Sequence, residues 1–315
     1  MQAFQTRPLT ARFGVEVTGL DLGDPATDAL FPHIRALFEE HSALLFRNQS
    51  LDDDRHLALA QRFGPIEDRN ADERKPGEDF TVPRVSNVRA DGSVTEAMDL
   101  HTLNLKANML WHSDSTFLPV PALTNILIAR VVSTEGGATE LASTRAAWAE
   151  MPESLKARIR GRGIRHHYAH SRSRISPELA KLEMFNKWPE TRWNSVWTNP
   201  VNGREALYIA SHARLVDGLG EAESQALLDE LMEFCTQPRF VYAHQWQVGD
   251  VLLWDQRAVM HRGRPWPYDQ PRTLSSICTS ATPADGLHSV RMPAGQTGST
   301  DARTHDQKHK KEVTT

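Results

Sequence analysis

Cysteine is scarce in this chain: Cys235 and Cys278 are the two among 315 residues, far apart and without a CxxC pair. That argues against a disulfide scaffold and fits a reducing compartment. Long apolar runs are missing too; none approaches the ~18 residues needed to span a bilayer. The first residues, Met1-Gln2-Ala3-Phe4-Gln5-Thr6-Arg7, lack the charged-then-apolar pattern of a signal peptide. Neither sign of charge dominates: 36 basic and 40 acidic residues leave a formal charge of -4. Nothing there suggests a nucleic-acid or membrane surface. The expectation is a cytoplasmic protein whose partner is a small molecule, with a homo-oligomer left open. Internal repeats and clean linkers are absent as well, and the length suffices for a sizeable core.

What is present alternates helical and strand-like stretches. Leu30 to Glu40 has helical periodicity, with Leu30, Ile34, Leu37 and Phe38 on one face. Ser42 to Phe46 reads as a buried strand. Asp52 to Phe63 reads as a helix capped by Asp52 or Asp53. Val82 to Val88 is a short strand ending near the Asp91-Gly92 turn. Further strands are expected at Ala122–Val132, Thr139–Ala142, Ile164–Tyr168, Phe240–Trp246, Val251–Trp254, Val259–His261 and Arg272–Thr279. Ser143 caps a short helix through Trp148, and Pro152 starts another to Arg160. Asn202-Gly203 marks a hairpin between Val196–Asn199 and Glu205–Ile209. Glu221 to Cys235 is an amphipathic helix. Many strands and few helices predict a mainly β fold with flanking helices. One domain is expected over 1–291. The polar, irregular segments around 67–81 and 93–107 read as lid loops, because loops of that length in a compact domain are usually lids or binding loops. Residues 292–315, poor in apolar side chains, read as a disordered tail. That setting makes His305 and His309 poor ligands, since a floppy tail does not hold a catalytic geometry.

The chemistry centres on Trp111-His112-Ser113-Asp114-Ser115 and on Trp254 to Arg262, which contains His261. In an extended strand, residues i and i+2 point to one face, so His112 and Asp114 could reach one metal. With His261 they form the ligand set of a two-histidine, one-carboxylate iron site, which leaves one octahedral face open for oxygen chemistry. The bland alternative is a strand-end histidine bonded to a nearby aspartate. Arg272, eleven residues after His261, could make a bidentate pair with a carboxylate, and the Thr139 hydroxyl could hold the same group. Taken singly, these read as a surface ion pair and a β-branched strand residue.

These motifs resemble the Fe(II)- and 2-oxoglutarate-dependent dioxygenases of the taurine dioxygenase superfamily, most of all the aryloxyalkanoate (2,4-dichlorophenoxyacetate) branch. The matching elements run in order over about residues 12 to 280. They include Val17 to Leu22, Arg62-Phe63-Gly64, Ser86-Asn87-Val88, Trp111 to Phe117, Gly136-Gly137, Phe240-Val241-Tyr242, Gly249-Asp250 and His261 to Arg264. The resemblance implies a double-stranded β-helix (jelly roll) with His112, Asp114 and His261 as Fe(II) ligands. It implies 2-oxoglutarate as cosubstrate, its far carboxylate on Arg272 and Thr139, and O2 as oxidant. Oxidative decarboxylation would yield succinate and CO2. Hydroxylation of an ether substrate would give a hemiacetal that collapses to a phenol and an oxo acid. Relatives that halogenate carry a small residue in place of Asp114, so hydroxylation is expected here.

One position departs from the pattern. Many relatives have a second arginine fifteen residues after the distal histidine, which binds the substrate anion; here it is Ser276. Candidate replacements are Lys106, Arg165, His166, His167, His170, Arg172, Arg174 and His212. His212 lies in a family-like segment, and Asn108 matches a substrate-contacting asparagine in taurine dioxygenases. Of His166 and His167, adjacent on a strand, at most one faces the site. Arg172 and Arg174 read as a solvated basic patch. Phe117 and Trp193 could form an aromatic wall. The competing functions are a same-superfamily oxygenase of a sulfonate, alkyl sulfate or amino-acid-derived product, a non-catalytic jelly roll binding a metal or small acid, and a zinc hydrolase. The last lacks the general-base glutamate of an HExxH helix.

Overall fold

The chain opens with two four-residue strands, β1 (Gln5–Pro8) and β2 (Val15–Thr18), too short to show a period in the sequence. The computed structural model describes residues 4–95 and 99–292. The expected tail, with His305 and His309, therefore lies outside the described residues from position 293 onward, as do residues 96–98 of the second expected loop. Helix α1 (Phe31–His41) buries Ile34 and Phe38 and ends at Ser42, whose φ of 64° turns the chain into β3 (Ala43–Phe46). Asp52 accepts the Arg55 amide and so caps α2 (Asp53–Phe63), where Asp53 and Asp54 add favourable negative charge to the first turn.

Residues 67–81 contain neither helix nor strand, and β4 (Arg84–Ser86) follows. The segment 93–107 differs from expectation: Leu100–Ala107 forms helix α3, whose weak amphipathicity gave little periodic signal. Then come β5 (Ala122–Val131), β6 (Thr139–Ser143), the Ser143-capped α4 (Thr144–Glu150) and α5 (Glu153–Ile159). Strand β7 (Gly163–His166) stops two residues early, because Tyr168–Ser173 turns into helix α6. After α7 (Pro177–Ala180) come β8 (Thr191–Asn194), β9 (Val196–Thr198), β10 (Glu205–Leu207) and β11 (Ala213–Val216). The described residues end with α8 (Glu221–Cys235), β12 (Val241–His244), β13 (Val251–Asp255), β14 (Val259–Gly263), β15 (Thr273–Ser280) and α9 (Leu287–Val290). Strands β9 and β10 pair around Asn202-Gly203.

The architecture is mainly β with helices around it. A seven-stranded sheet has the order β1-β2-β3-β13-β5-β15-β4, and a three-stranded sheet the order β12-β6-β14. Alternation along the strands sorts the core. Ile126, Ile128, Val251, Leu253 and Ile277 pack with α1 and α2, whereas Leu127, Leu252, Trp254 and Leu274 face Leu141 and Val259 of the smaller sheet. Each such fully buried side chain contributes about 1.5–3 kcal/mol. On β15 the same parity turns Ser276 and Cys278 toward the smaller sheet, where a cavity opens.

A buried ionic cluster ties α1 to the turn between β13 and β14. Arg257, 2% exposed, donates to Glu39 at 2.6 Å and to Asp255 at 2.8 Å, and Arg145 reaches Asp255 at 3.2 Å. The start of β14, and hence His261, is held from behind. Among the described residues, no helix is long and apolar enough to cross a membrane.

Candidate metal centre and its cavity

His112 and His261 form a reciprocal backbone pair. The His112 amide donates to the His261 carbonyl at 3.0 Å, and the His261 amide returns the bond at 2.7 Å. Their rings lie 4.1 Å apart by centroid. The sequence reading placed His112 and Asp114 on one extended strand. In the structure the strand character is limited to this single bridge, and the chain turns at Asp114, with Ser115 at φ 59°. The turn still brings the carboxylate to the histidines: Asp114 Oδ1 is 3.9 Å from His112 Nε2, and its Oδ2 is 3.6 Å from His261 Nε2. One ligand atom from each residue lies within 4.8 Å of the others.

The surroundings suit a metal ion. The Leu110 carbonyl can only accept, so His112 Nδ1 carries the proton of their 2.7 Å bond, leaving Nε2 as a lone pair toward the cluster. Asp114 Oδ2 accepts from Asn125 at 2.8 Å and from Gln256 at 2.6 Å, and the Asp114 amide donates to Gln256 Oε1 at 3.0 Å. Ser276 Oγ donates to Asn125 Oδ1 at 3.0 Å, and the Cys278 thiol lies 3.6 Å from Asp114 Oδ2. Burial alone would raise the Asp114 carboxyl, but His261, His112 and Arg69, with the Asn125 bond, hold it well below the usual carboxylate range. Burial lowers His112, and lowers His261 to about 3, so both imidazoles are neutral near pH 7. Neutral imidazoles and an ionised carboxylate are what a divalent metal requires.

The triad lines a cavity of about 870 Å³, within the usual range for ligand sites. Thr139, Arg272, Asn108, His212 and Phe117 line it as well, so all eight candidate residues meet there. Trp246 donates to Thr139 Oγ1 at 3.0 Å, which leaves the hydroxyl proton free to donate. Arg272 is 4% exposed and has no ion-pair partner among the described residues. Its Nη2 donates to the Gly137 carbonyl at 2.8 Å, Nε has no partner, and burial lowers its pKa to about 10. Asn87 fixes the arginine's backbone by accepting its amide at 2.8 Å while donating to Tyr268 and Gln270. His212 is held neutral by burial and shares a 3.2 Å bond with Thr116.

Several expectations fail. Lys106, Arg165, His166, His167, His170 and Arg174 are not among the cavity-lining residues. Arg165 lies 3.6 Å from Glu190 and 3.5 Å from Asp217, and His166 is fully buried against Thr116. Trp193 is no wall: its indole donates to the Thr116 carbonyl and packs in the helix-side core. Of the Arg172/Arg174 pair, also read as a solvated patch, Arg172 is 5% exposed and lines the cavity as a candidate replacement must, whereas Arg174 is exposed. Sequence reasoning missed Arg69, Tyr168, Asn125 and Gln256 altogether. Gln256 had a signal in its place beside Asp255, within the distal motif; the others had none.

Comparison with known proteins gives a consistent picture. The model of the family "Taurine catabolism dioxygenase TauD, TfdA family" matches residues 5–278. The chain is 37% identical over 290 residues to the (S)-phenoxypropionate/alpha-ketoglutarate-dioxygenase of Sphingobium herbicidovorans, covering 90% of this chain and 96% of that one. It is 36% identical over 275 residues to the alpha-ketoglutarate-dependent 2,4-dichlorophenoxyacetate dioxygenase of Cupriavidus pinatubonensis, covering 86% and 96% respectively. The crystal structure of AAD-2 in complex with Mn(II) and N-oxalylglycine superposes with a TM-score of 0.81 at 34% identity, covering 89% of this chain and 97% of that one.

Proposed function

This chain belongs to the taurine catabolism dioxygenase TauD, TfdA family, and we propose that it is an Fe(II)- and 2-oxoglutarate-dependent dioxygenase that hydroxylates an aryloxyalkanoate-like acid. His112, Asp114 and His261 hold the iron. Arg272 and Thr139 receive the far carboxylate of 2-oxoglutarate, and Asn108, His212 and Phe117 border the substrate. The facing sheets make up a double-stranded β-helix (jelly roll). Residues 1–291 act as one domain, with 67–81 and 93–107 as lids. The unpaired cysteines suit a cytoplasmic setting.

Bound iron supplies O2 activation, coupling decarboxylation of 2-oxoglutarate to succinate and CO2 with substrate hydroxylation. The chain's part is to fix geometry and shield the reaction. Asn125 and Gln256 occupy Asp114 Oδ2 and so orient the carboxylate. Trp246 directs the Thr139 proton, and Asn87 sets Arg272. Hydroxylation beside the ether oxygen gives a hemiacetal, whose collapse releases a phenol and an oxo acid.

The supporting observation is that the triad and a buried arginine without a carboxylate partner share one cavity. The test is an anaerobic titration with Fe(II) and then 2-oxoglutarate, watched for the visible charge-transfer band of a chelated keto acid. Aryloxy acids, sulfonates and alkyl sulfates are then assayed for succinate. A saturable band and phenol release from an aryloxy acid are expected. Metal binding without the band overturns the cofactor assignment, and turnover of sulfonates alone overturns the substrate assignment.

A further inference from the structure

Five arginines line the cavity: Arg69, Arg74, Arg84, Arg172 and Arg272. Three of them carry their own carboxylate. Arg69 meets Glu67 at 2.6 Å, Arg74 meets Asp68, and Arg84 meets Asp53 at 2.6 Å. Arg272 and Arg172 have none among the described residues. A buried guanidinium without a counter-ion is costly, and such charges are normally paired. Arg272 is accounted for by 2-oxoglutarate under the reading above. That leaves one unmatched buried cation in the same cavity.

Arg172 is held in place by neutral groups only. Its Nη1 donates to Ser171 Oγ at 2.9 Å, its Nη2 to Asn104 Oδ1 at 2.9 Å and to the Tyr168 hydroxyl at 3.1 Å. Nε is buried and has no partner. The guanidinium lies 4.3 Å above the Tyr168 ring, whose plane stacks on Phe117 at 3.9 Å and 11°. Phe117 and Tyr168 flank His212 at 4.9 and 5.8 Å, and His212 is edge-on to the ligand His112 at 6.3 Å. A cation and an aromatic face thus stand together on the His112 side of the centre.

We propose that Arg172 is the anchor for the substrate's carboxylate, taking the part that Ser276 cannot play. This rests on the dioxygenase reading of the same cavity. Ser276 is neutral, and its hydroxyl is committed to Asn125. His212 is neutral by burial, and Arg69 is already neutralised by Glu67 and tied to Ser115. Nη1 keeps one uncommitted N–H, and a carboxylate that displaces the neutral Tyr168 hydroxyl from Nη2 would complete the bidentate pair a guanidinium fork favours. Phe117 and Tyr168, which line the cavity beside it, give the aryl group such an acid carries an apolar flank.

The test is isothermal titration of the anaerobic Fe(II)·2-oxoglutarate protein with phenoxyacetate, with the uncharged 2-phenoxyethanol and with 2-phenoxyethanesulfonate. Arg172→Gln should weaken phenoxyacetate binding about 100-fold while changing the alcohol's affinity only a few-fold. Arg172→Lys, which keeps the charge and loses the fork, should fall between, and it serves if the Gln variant does not fold. The 2-oxoglutarate charge-transfer midpoint should stay within about threefold of wild type in both. Unchanged phenoxyacetate affinity in folded variants overturns the assignment, as does selective loss of 2-oxoglutarate binding. Tighter Arg172-dependent binding of the sulfonate overturns the choice of carboxylate. If acid binding depends on Arg172 but no phenol is ever released, the anchor stands and the proposed reaction falls. If phenol is released and the variants bind the acid normally, the reverse holds.

Discussion

The Gly137 carbonyl accepts a hydrogen bond from Arg272 Nη2 at 2.8 Å, and a Cβ added at residue 137 would lie 2.9 Å from that arginine's Nε. Glycine is needed twice over, since φ there is +66°. The chain that carries Thr139 into the cavity is therefore also the surface against which Arg272 is set.

Gly137→Ala should displace the guanidinium and raise the 2-oxoglutarate half-saturation concentration about 10-fold, with Fe(II) affinity little changed. Arg272→Ala should raise it about 100-fold or more. The charge-transfer titration measures both. Normal 2-oxoglutarate affinity in the Arg272 variant would sink the assignment of that residue.

Removing a ligand and loosening one should differ in degree. His112→Ala is expected to abolish Fe(II) binding. Gln256→Leu takes away the 2.6 Å bond to Asp114 and should weaken Fe(II) about 10–100-fold. Metal retention during gel filtration separates the two.

Acid should destabilise the fold through His56, which lies outside the site. This residue is fully buried on α2, with Nε2 bonded to the Ile126 carbonyl and Nδ1 unpartnered. Burial lowers its pKa from 6.5 to about 3. Between those values the unfolded chain binds the extra proton, so the contribution is full above about pH 6.5 and is lost as pH falls toward 3. Urea unfolding should show stability falling by about 1 kcal/mol per pH unit from this group. His56→Gln should remove that part of the slope, and an unchanged slope would contradict the account.

Breaking the ionic cluster behind β14 should cost more than any surface change. Arg257→Met leaves buried Asp255 with only Arg145, at 3.2 Å, and Glu39 with only Arg35, at 2.6 Å, and should destabilise the protein by up to about 3–5 kcal/mol. A fall in thermal midpoint measures it, and a loss under 1 kcal/mol would mean that the neighbouring Arg145 and Arg35 compensate.

The sequence was most legible where the signal is local. Asp52, Ser143 and Asn202-Gly203 mark their helix starts and hairpin because caps and turns depend on adjacent residues. Short apolar runs identified β5 and β13. Strands β8 and β11, four residues each, carry no usable period, and α3 is too weakly amphipathic to stand out. The triad was readable because two ligands are two residues apart, although the backbone that presents them is a bridge and a turn rather than a strand. Arg172 stood among the candidate cations but could not be told from Arg174, because the two look alike in a string of letters. The helical phase of α6 buries the first against Tyr168 and exposes the second, and only packing reveals that.

The His112–His261 bridge also has a consequence in time. During synthesis His112 and Asp114 leave the ribosome well before β14 exists. Two donors on an unpaired segment would give passing ions only a loose hold. The third donor arrives with the strand whose amide and carbonyl clasp His112 in return. The three donors thus come together only once β14 has formed, and the backbone latch that brings them together belongs to the protein.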